Sequence, residues 1–165
     1  MSESIAGTVL DGLEFARNGG VLDRRVSVAE MPRLADSLAA AAGWLAVRIE
    51  GARDEEGKSW LQLEVAGSLV LRCQRCLGPL EFPLAVNSRL QLIAPGEAWP
   101  DDELADDSAD AIAAVGAIDV LALVEDEVLL ALPIAPRHGK CEPPALAADV
   151  PEPSPFAALA SLKKH

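Results

Sequence analysis

The sequence predicts an α+β fold: an antiparallel sheet or partly closed barrel, with an N-terminal helix before it and a buried C-terminal helix after it. Two observations carry this. From Trp44 to Pro95, apolar and polar residues alternate in short runs joined by turn residues, the pattern of an antiparallel meander. Over residues 118–133, IDVLALVEDEVLLALP, the apolar spacing becomes helical, and Pro133 stops the run. A chain of 165 residues is long enough for one domain with its own core and too short for two large ones. Half the residues are apolar, but there are only three Trp, three Phe and no Tyr, so aliphatic side chains must fill that core.

Residues 1–20 carry little pattern and end in Asn18-Gly19-Gly20, a loop signal. VLDRRVSV (21–28) reads as a short strand, and MPRLADSLAAAAG (31–43) as the N-terminal helix. Pro32 suits its first turn, Leu34 and Leu38 share a face, and Gly43 ends it. In WLAVRIEG, Leu45, Val47 and Ile49 face one way and Trp44, Ala46 and Arg48 the other. After the polar turn ARDEEGK, SWLQLEVAG, SLVLRC and LEFPLAVNSRLQLIAP continue the alternation.

Residues 96–117 hold seven acids and no Lys or Arg, which reads as a solvated loop; the functional alternative is bait for a basic partner. On the 118–133 helix, Ile118, Leu121, Val124, Val128 and Leu132 share a face, with Leu123 and Leu130 opposite. Apolar residues on both sides predict burial. Glu125 sits within the first face and needs a partner, such as an arginine of the meander, unless that face looks out on a binding site. The expected domain is 1–141. Residues 142–165 follow as a Pro-rich linker and a short amphipathic segment, with Phe156, Leu159 and Leu162 on one side and Lys163-Lys164 at its end.

A net charge of -12 argues against nonspecific attraction of the whole chain to nucleic acid or anionic lipid, and suits a basic partner such as a ribosomal protein. Three cysteines, no basic start followed by an apolar run, and no apolar stretch near the roughly 18 residues of a membrane span lead us to expect a cytoplasmic protein. P-loop, G-x-G-x-x-G, G-x-S-x-G and H-E-x-x-H motifs are missing, and we expect no enzymatic activity.

Cys73-Gln74-Arg75-Cys76 at the tip of a hairpin admits three readings: half a metal site, a redox pair, or small residues packed inward. The metal reading needs two more ligands, and His138-Gly139-Lys140-Cys141 offers them across an insert of 61 residues. Such a site requires the Cys73 and Cys141 sulfurs within about 8 Å of each other. Gly78 is expected to supply the conformational freedom of the turn. The redox reading is weaker, because the pair lies between strands and not at the start of a helix. Arg72 and Arg75, with Arg89 and also Arg24 and Arg25, are expected to form one basic face able to contact RNA phosphates; the alternative is pairing with Glu50, Glu64 or Glu81.

Four segments together, VRIEG, VAGSLVLRCQRCLGPLEFPL, AIDVLALVEDEVLLALPIAPRHGKCE and PSPFAALASLKK, resemble the YceD family, the large ribosomal RNA subunit accumulation proteins. The resemblance runs from Val21 onward and is weakest over the acidic loop. Cys73, Gln74, Arg75 and Cys76 match the family's C-x-R-C turn, Glu125, Asp126, Glu127, Leu130, Leu132 and Pro133 its helix, and His138 and Cys141 its closing pair. It implies a bacterial ribosome-biogenesis factor supporting synthesis, processing or stability of large-subunit (23S) ribosomal RNA. The expected cofactor is a structural zinc on Cys73, Cys76, His138 and Cys141. The expected partner is large-subunit RNA or a basic ribosomal protein, met through Arg72, Arg75, Arg89 and Glu125, with no membrane or small-molecule substrate. A thiol-redox protein using the C-x-x-C pair is the alternative.

Overall fold

Period-two alternation from Trp44 to Ile93 becomes three long strands in the computed structural model, which describes residues 4–100 and 109–144. These are β4 (Trp44–Arg53), β5 (Ser59–Arg72) and β6 (Pro79–Ile93). Before them come β1 (Val9–Asp11), α1 (Gly12–Arg17), β2 (Val21–Ser27), two 3-10 turns (Val28–Glu30 and Pro32–Ser37) and β3 (Leu38–Ala40). After them come β7 (Asp110–Ala113), β8 (Ala117–Asp119) and α2 (Val120–Ala131). The fold is α+β.

The main sheet has the order β2-β4-β5-β6-β7, with β3 pairing the far end of β5. It is open and not closed into a barrel, which corrects that alternative. Strands β2, β4, β5 and β6 are antiparallel as expected, but β7 joins β6 in parallel. A parallel neighbour needs a crossover of a dozen or more residues, and the chain from 94 to 109 supplies it. Part of the expected acidic loop is therefore β7; residues 101–108 lie outside the described residues. So do 145–165, which hold most of the expected linker and all of the amphipathic segment.

Alternation sorts the side chains as read: Leu45, Val47, Ile49, Leu61, Leu63 and Val65 are buried, while Trp44, Ala46 and Arg48 are exposed. Register stacks Val47 against Val65, and Val65 against Val86, on the core face. The layer over that face comes from Ile5, α1, the 3-10 turns and α2, in one cluster running from Ile5 to Val128.

The N-terminal helix is not where the sequence put it. Residues 31–43 form a 3-10 turn and then β3, because Leu38 is buried in register with Leu71 and that ladder overrides the helical preference of the alanine run. The helix is α1, only six residues long, which is too short to show a period. Asp11 caps it by accepting from the Glu14 amide at 2.9 Å, and Asn18-Gly19 ends it with Gly19 at φ 61°. It lies against β4 at Gly51, where the Gly51 amide donates to the Gly20 carbonyl at 2.8 Å.

Helix α2 matches its expected span closely. Asp119 caps it, accepting from the Ala122 amide at 3.1 Å. Val120, Leu123, Val124 and Val128 are buried; Leu130, on the same side as Leu123 but two turns further on, is 77% exposed, so burial of that second side does not extend to the end of the helix. Among the described residues no helix is long and apolar enough to cross a membrane.

Candidate metal centre

The β5–β6 hairpin closes with Arg72 opposite Pro79, and six residues make its tip. The Cys73 amide donates to the Gly78 carbonyl and the Leu77 amide to the Cys73 carbonyl, each at 2.9 Å. The left-handed residue of this tight turn is Leu77, at φ 62°. Gly78, expected to provide that freedom, has no positive φ. The Arg75 amide donates to Cys73 Sγ at 3.4 Å, so backbone dipoles already aim at the sulfur.

The second half arrives from α2. Pro133 ends the helical pattern, and the chain then turns along the hairpin tip, where the Gln74 amide donates to the Pro136 carbonyl at 2.8 Å. This sets His138 and Cys141 over the turn. Cys73 Sγ lies 3.7 Å from Cys141 Sγ, and Cys76 Sγ 3.3 Å from His138 Nδ1. All four ligand atoms fall within 4.8 Å of one another. Cys73 is fully buried and the other three residues are half-buried.

The donor set fits a tetrahedral metal ion. A metal–sulfur bond of about 2.3 Å places neighbouring sulfurs of a tetrahedron about 3.8 Å apart, close to the Cys73–Cys141 separation. His138 Nε2 donates to the Pro79 carbonyl at 2.9 Å, which leaves the Nδ1 lone pair free to ligate. Burial opposes ionisation of Cys73, but the amides of Cys76, Arg75 and His138 and the Cys76 thiol outweigh it and bring the Cys73 pKa down to about 5. Burial raises the Cys141 pKa, helped by the neighbouring Cys73 and Cys76 side chains. Metal ligation requires deprotonated sulfurs, and the hydrogen bonds to Cys73 favour its thiolate.

Arg25, Arg72 and Arg89 share the solvent-facing side of the sheet by alternation and register, but they do not form one cluster. Arg72 is exposed at the end of β5, and Arg75 donates through Nη1 to the Cys141 carbonyl at 3.4 Å. Arg89 stands ten residues along β6 from Pro79, so about 33 Å separates it from the turn. Its guanidinium lies 4.0 Å from the Trp60 ring centroid, and that of Arg25 lies 4.7 Å from Trp44. Of the acids proposed as sheet partners, Glu50 accepts from Arg48 Nε at 2.8 Å. Glu125 is a correction. It is 4% exposed and accepts from the Arg33 amide at 3.0 Å, so it faces the interior and not a partner. Its counterpart is a backbone amide and not a meander arginine, a pairing no side-chain pattern announces. Sequence reasoning also missed Glu127, buried on α2, which accepts from the inward-facing Ser88 of β6.

The family model described as "Large ribosomal RNA subunit accumulation protein YceD" matches residues 61–163. The matched span begins later than Val21. It contains the β5–β6 hairpin, α2 and all four candidate ligands. No solved structure matches the chain.

Proposed function

The chain belongs to the YceD family of large ribosomal RNA subunit accumulation proteins, and on that premise we propose that it supports the synthesis, processing or stability of large-subunit (23S) ribosomal RNA. In this reading it acts in the cytoplasm as a non-enzymatic binding protein, meeting the RNA or a basic ribosomal protein. The observation that carries it is the family match across the hairpin, the cage and α2.

We assign zinc to the cage, because three thiols and one imidazole at mutual distances below 4.8 Å are a structural zinc donor set. When bound, the ion supplies a cross-link. Cys73 and Cys76 would hold it from the hairpin, His138 and Cys141 from the segment after α2, joining sheet to helix. The donor set is closed on itself, with no fourth position left for substrate, which supports a structural role over catalysis.

Depleting the protein from its cells should lower 23S relative to 16S ribosomal RNA, with rescue by the wild-type gene and not by Cys73→Ser. An unchanged 23S level on depletion would sink the reading.

A further inference from the structure

On an acidic chain, basic side chains ordinarily find carboxylates, and several here do. Arg33 pairs with Asp126, Arg48 with Asp23 and Glu50, and Lys58 with Glu56. Around the cage the pattern breaks. Arg72 and Arg75 flank Cys73, while Arg137 and Lys140 flank His138, and none of the four forms an ion pair with a described carboxylate. The nearest acids along the chain and the ladder, Glu142 and Glu81, pair with none of them. Arg72, Arg137 and Lys140 are exposed.

A divalent ion held by three thiolates and an imidazole carries one surplus negative charge. Arg75, half-buried and bonded to the Cys141 carbonyl against the cage, is the cation placed to balance it. That leaves Arg72, Arg137 and Lys140 free for an outside anion. The two sides of this trio lie more than 60 residues apart in sequence. Yet His138 bonds the carbonyl of Pro79, the ladder partner of Arg72, and the Gln74 amide bonds the Pro136 carbonyl, so their backbones converge at the hairpin tip. No aromatic residue lies within five positions of any of the ligands, so the segments that carry them bring no stacking platform for bases.

The geometry points to Arg72, Arg137 and Lys140 as a phosphate-binding patch, organised by the metal cage, that grips the backbone of large-subunit ribosomal RNA. This rests on the ribosomal RNA reading above and gives it a surface. Phosphate contacts of this kind position a protein on RNA without reading its sequence. Because the cage assembles the patch, RNA affinity depends on the metal.

The test uses the full, metal-loaded chain and an in vitro transcript of 23S ribosomal RNA, with binding followed by fluorescence anisotropy between about 50 and 200 mM salt. Replacing Arg72, Arg137 and Lys140 together by Gln should weaken binding at least tenfold. Each lost cation should reduce the slope of log affinity against log salt by about 1. Arg25→Gln, on the sheet face, should leave both values unchanged, and metal content equal to wild type excludes misfolding of the triple variant. Chelating the metal from wild type should reduce its affinity to that of the triple variant. Wild-type affinity and slope in the triple variant would overturn the patch while leaving the ribosomal RNA reading intact. Failure of wild type to bind the transcript, or binding only to a basic ribosomal protein, would also overturn the patch. The 23S level in depleted cells then decides the broader reading on its own.

Discussion

Leu77 holds a left-handed conformation at φ 62° with its side chain 58% exposed, so it pays backbone strain for little burial. A β-carbon in that region costs roughly 1–2 kcal/mol, and glycine avoids it. Leu77→Gly should therefore stabilise the protein by about 1 kcal/mol in chemical denaturation, with metal content unchanged. A loss of stability would show that Leu77 packs in a way its exposure does not suggest. The cysteines were legible as a pair from their spacing, and His138 and Cys141 as their complement. The left-handed residue was not, because Gly78 stood next to it and glycine is the ordinary occupant of such positions. Glu125 was legible as a problem, a carboxylate on an apolar face. Its solution, the amide of Arg33, was hidden because every residue but proline carries the same donor.

At the scale of elements, α1 and β4 meet so closely that a side chain at Gly51 has no room. A β-carbon there would lie 2.7 Å from the Phe15 carbonyl oxygen and 2.8 Å from the Ala16 α-carbon, both backbone atoms that cannot swing aside. Gly51→Ala should push α1 off the sheet and cost about 2 kcal/mol or more in thermal or chemical unfolding. An unchanged midpoint would mean that α1 is not held where it lies. Long elements were readable: β4, β5 and β6 through strict alternation, α2 through its apolar spacing and the proline that ends it. Short ones were not. The alanine run at 39–42 has a strong intrinsic leaning to helix, but β3 is drawn into the ladder with β5, and six residues of α1 present less than two turns to any periodicity.

For the molecule as a whole, the cage is the one tie among the described residues that joins the hairpin tip to the chain after α2 through ligand atoms. Stripping the metal with a chelator should lower the thermal midpoint and loosen residues 133–141 first, seen as faster amide exchange there than in β5. Metal affinity should fall as pH falls, since thiolates ligate and protons compete. The sign differs between sulfurs: Cys73, with its pKa down at about 5, stays ionised until the pH approaches that value, while Cys141, with its pKa raised, must give up a proton to bind. Titration calorimetry in buffers of different ionisation enthalpy at pH 7 should thus count fewer than three protons released per metal bound. Three or more would contradict a preformed Cys73 thiolate. Local spacing along the chain was enough to specify the meander, the C-terminal helix and the two Cys/His pairs that come together as a candidate metal centre, because alternation, helical period and close-pair spacing are all short-range. The open sheet, the parallel β7, the burial of Glu125 and the convergence of the 136–141 segment on the hairpin tip depend on which distant segments touch. That is decided by packing and by the cage, where residues separated by 61 positions come within bonding reach of a single ion.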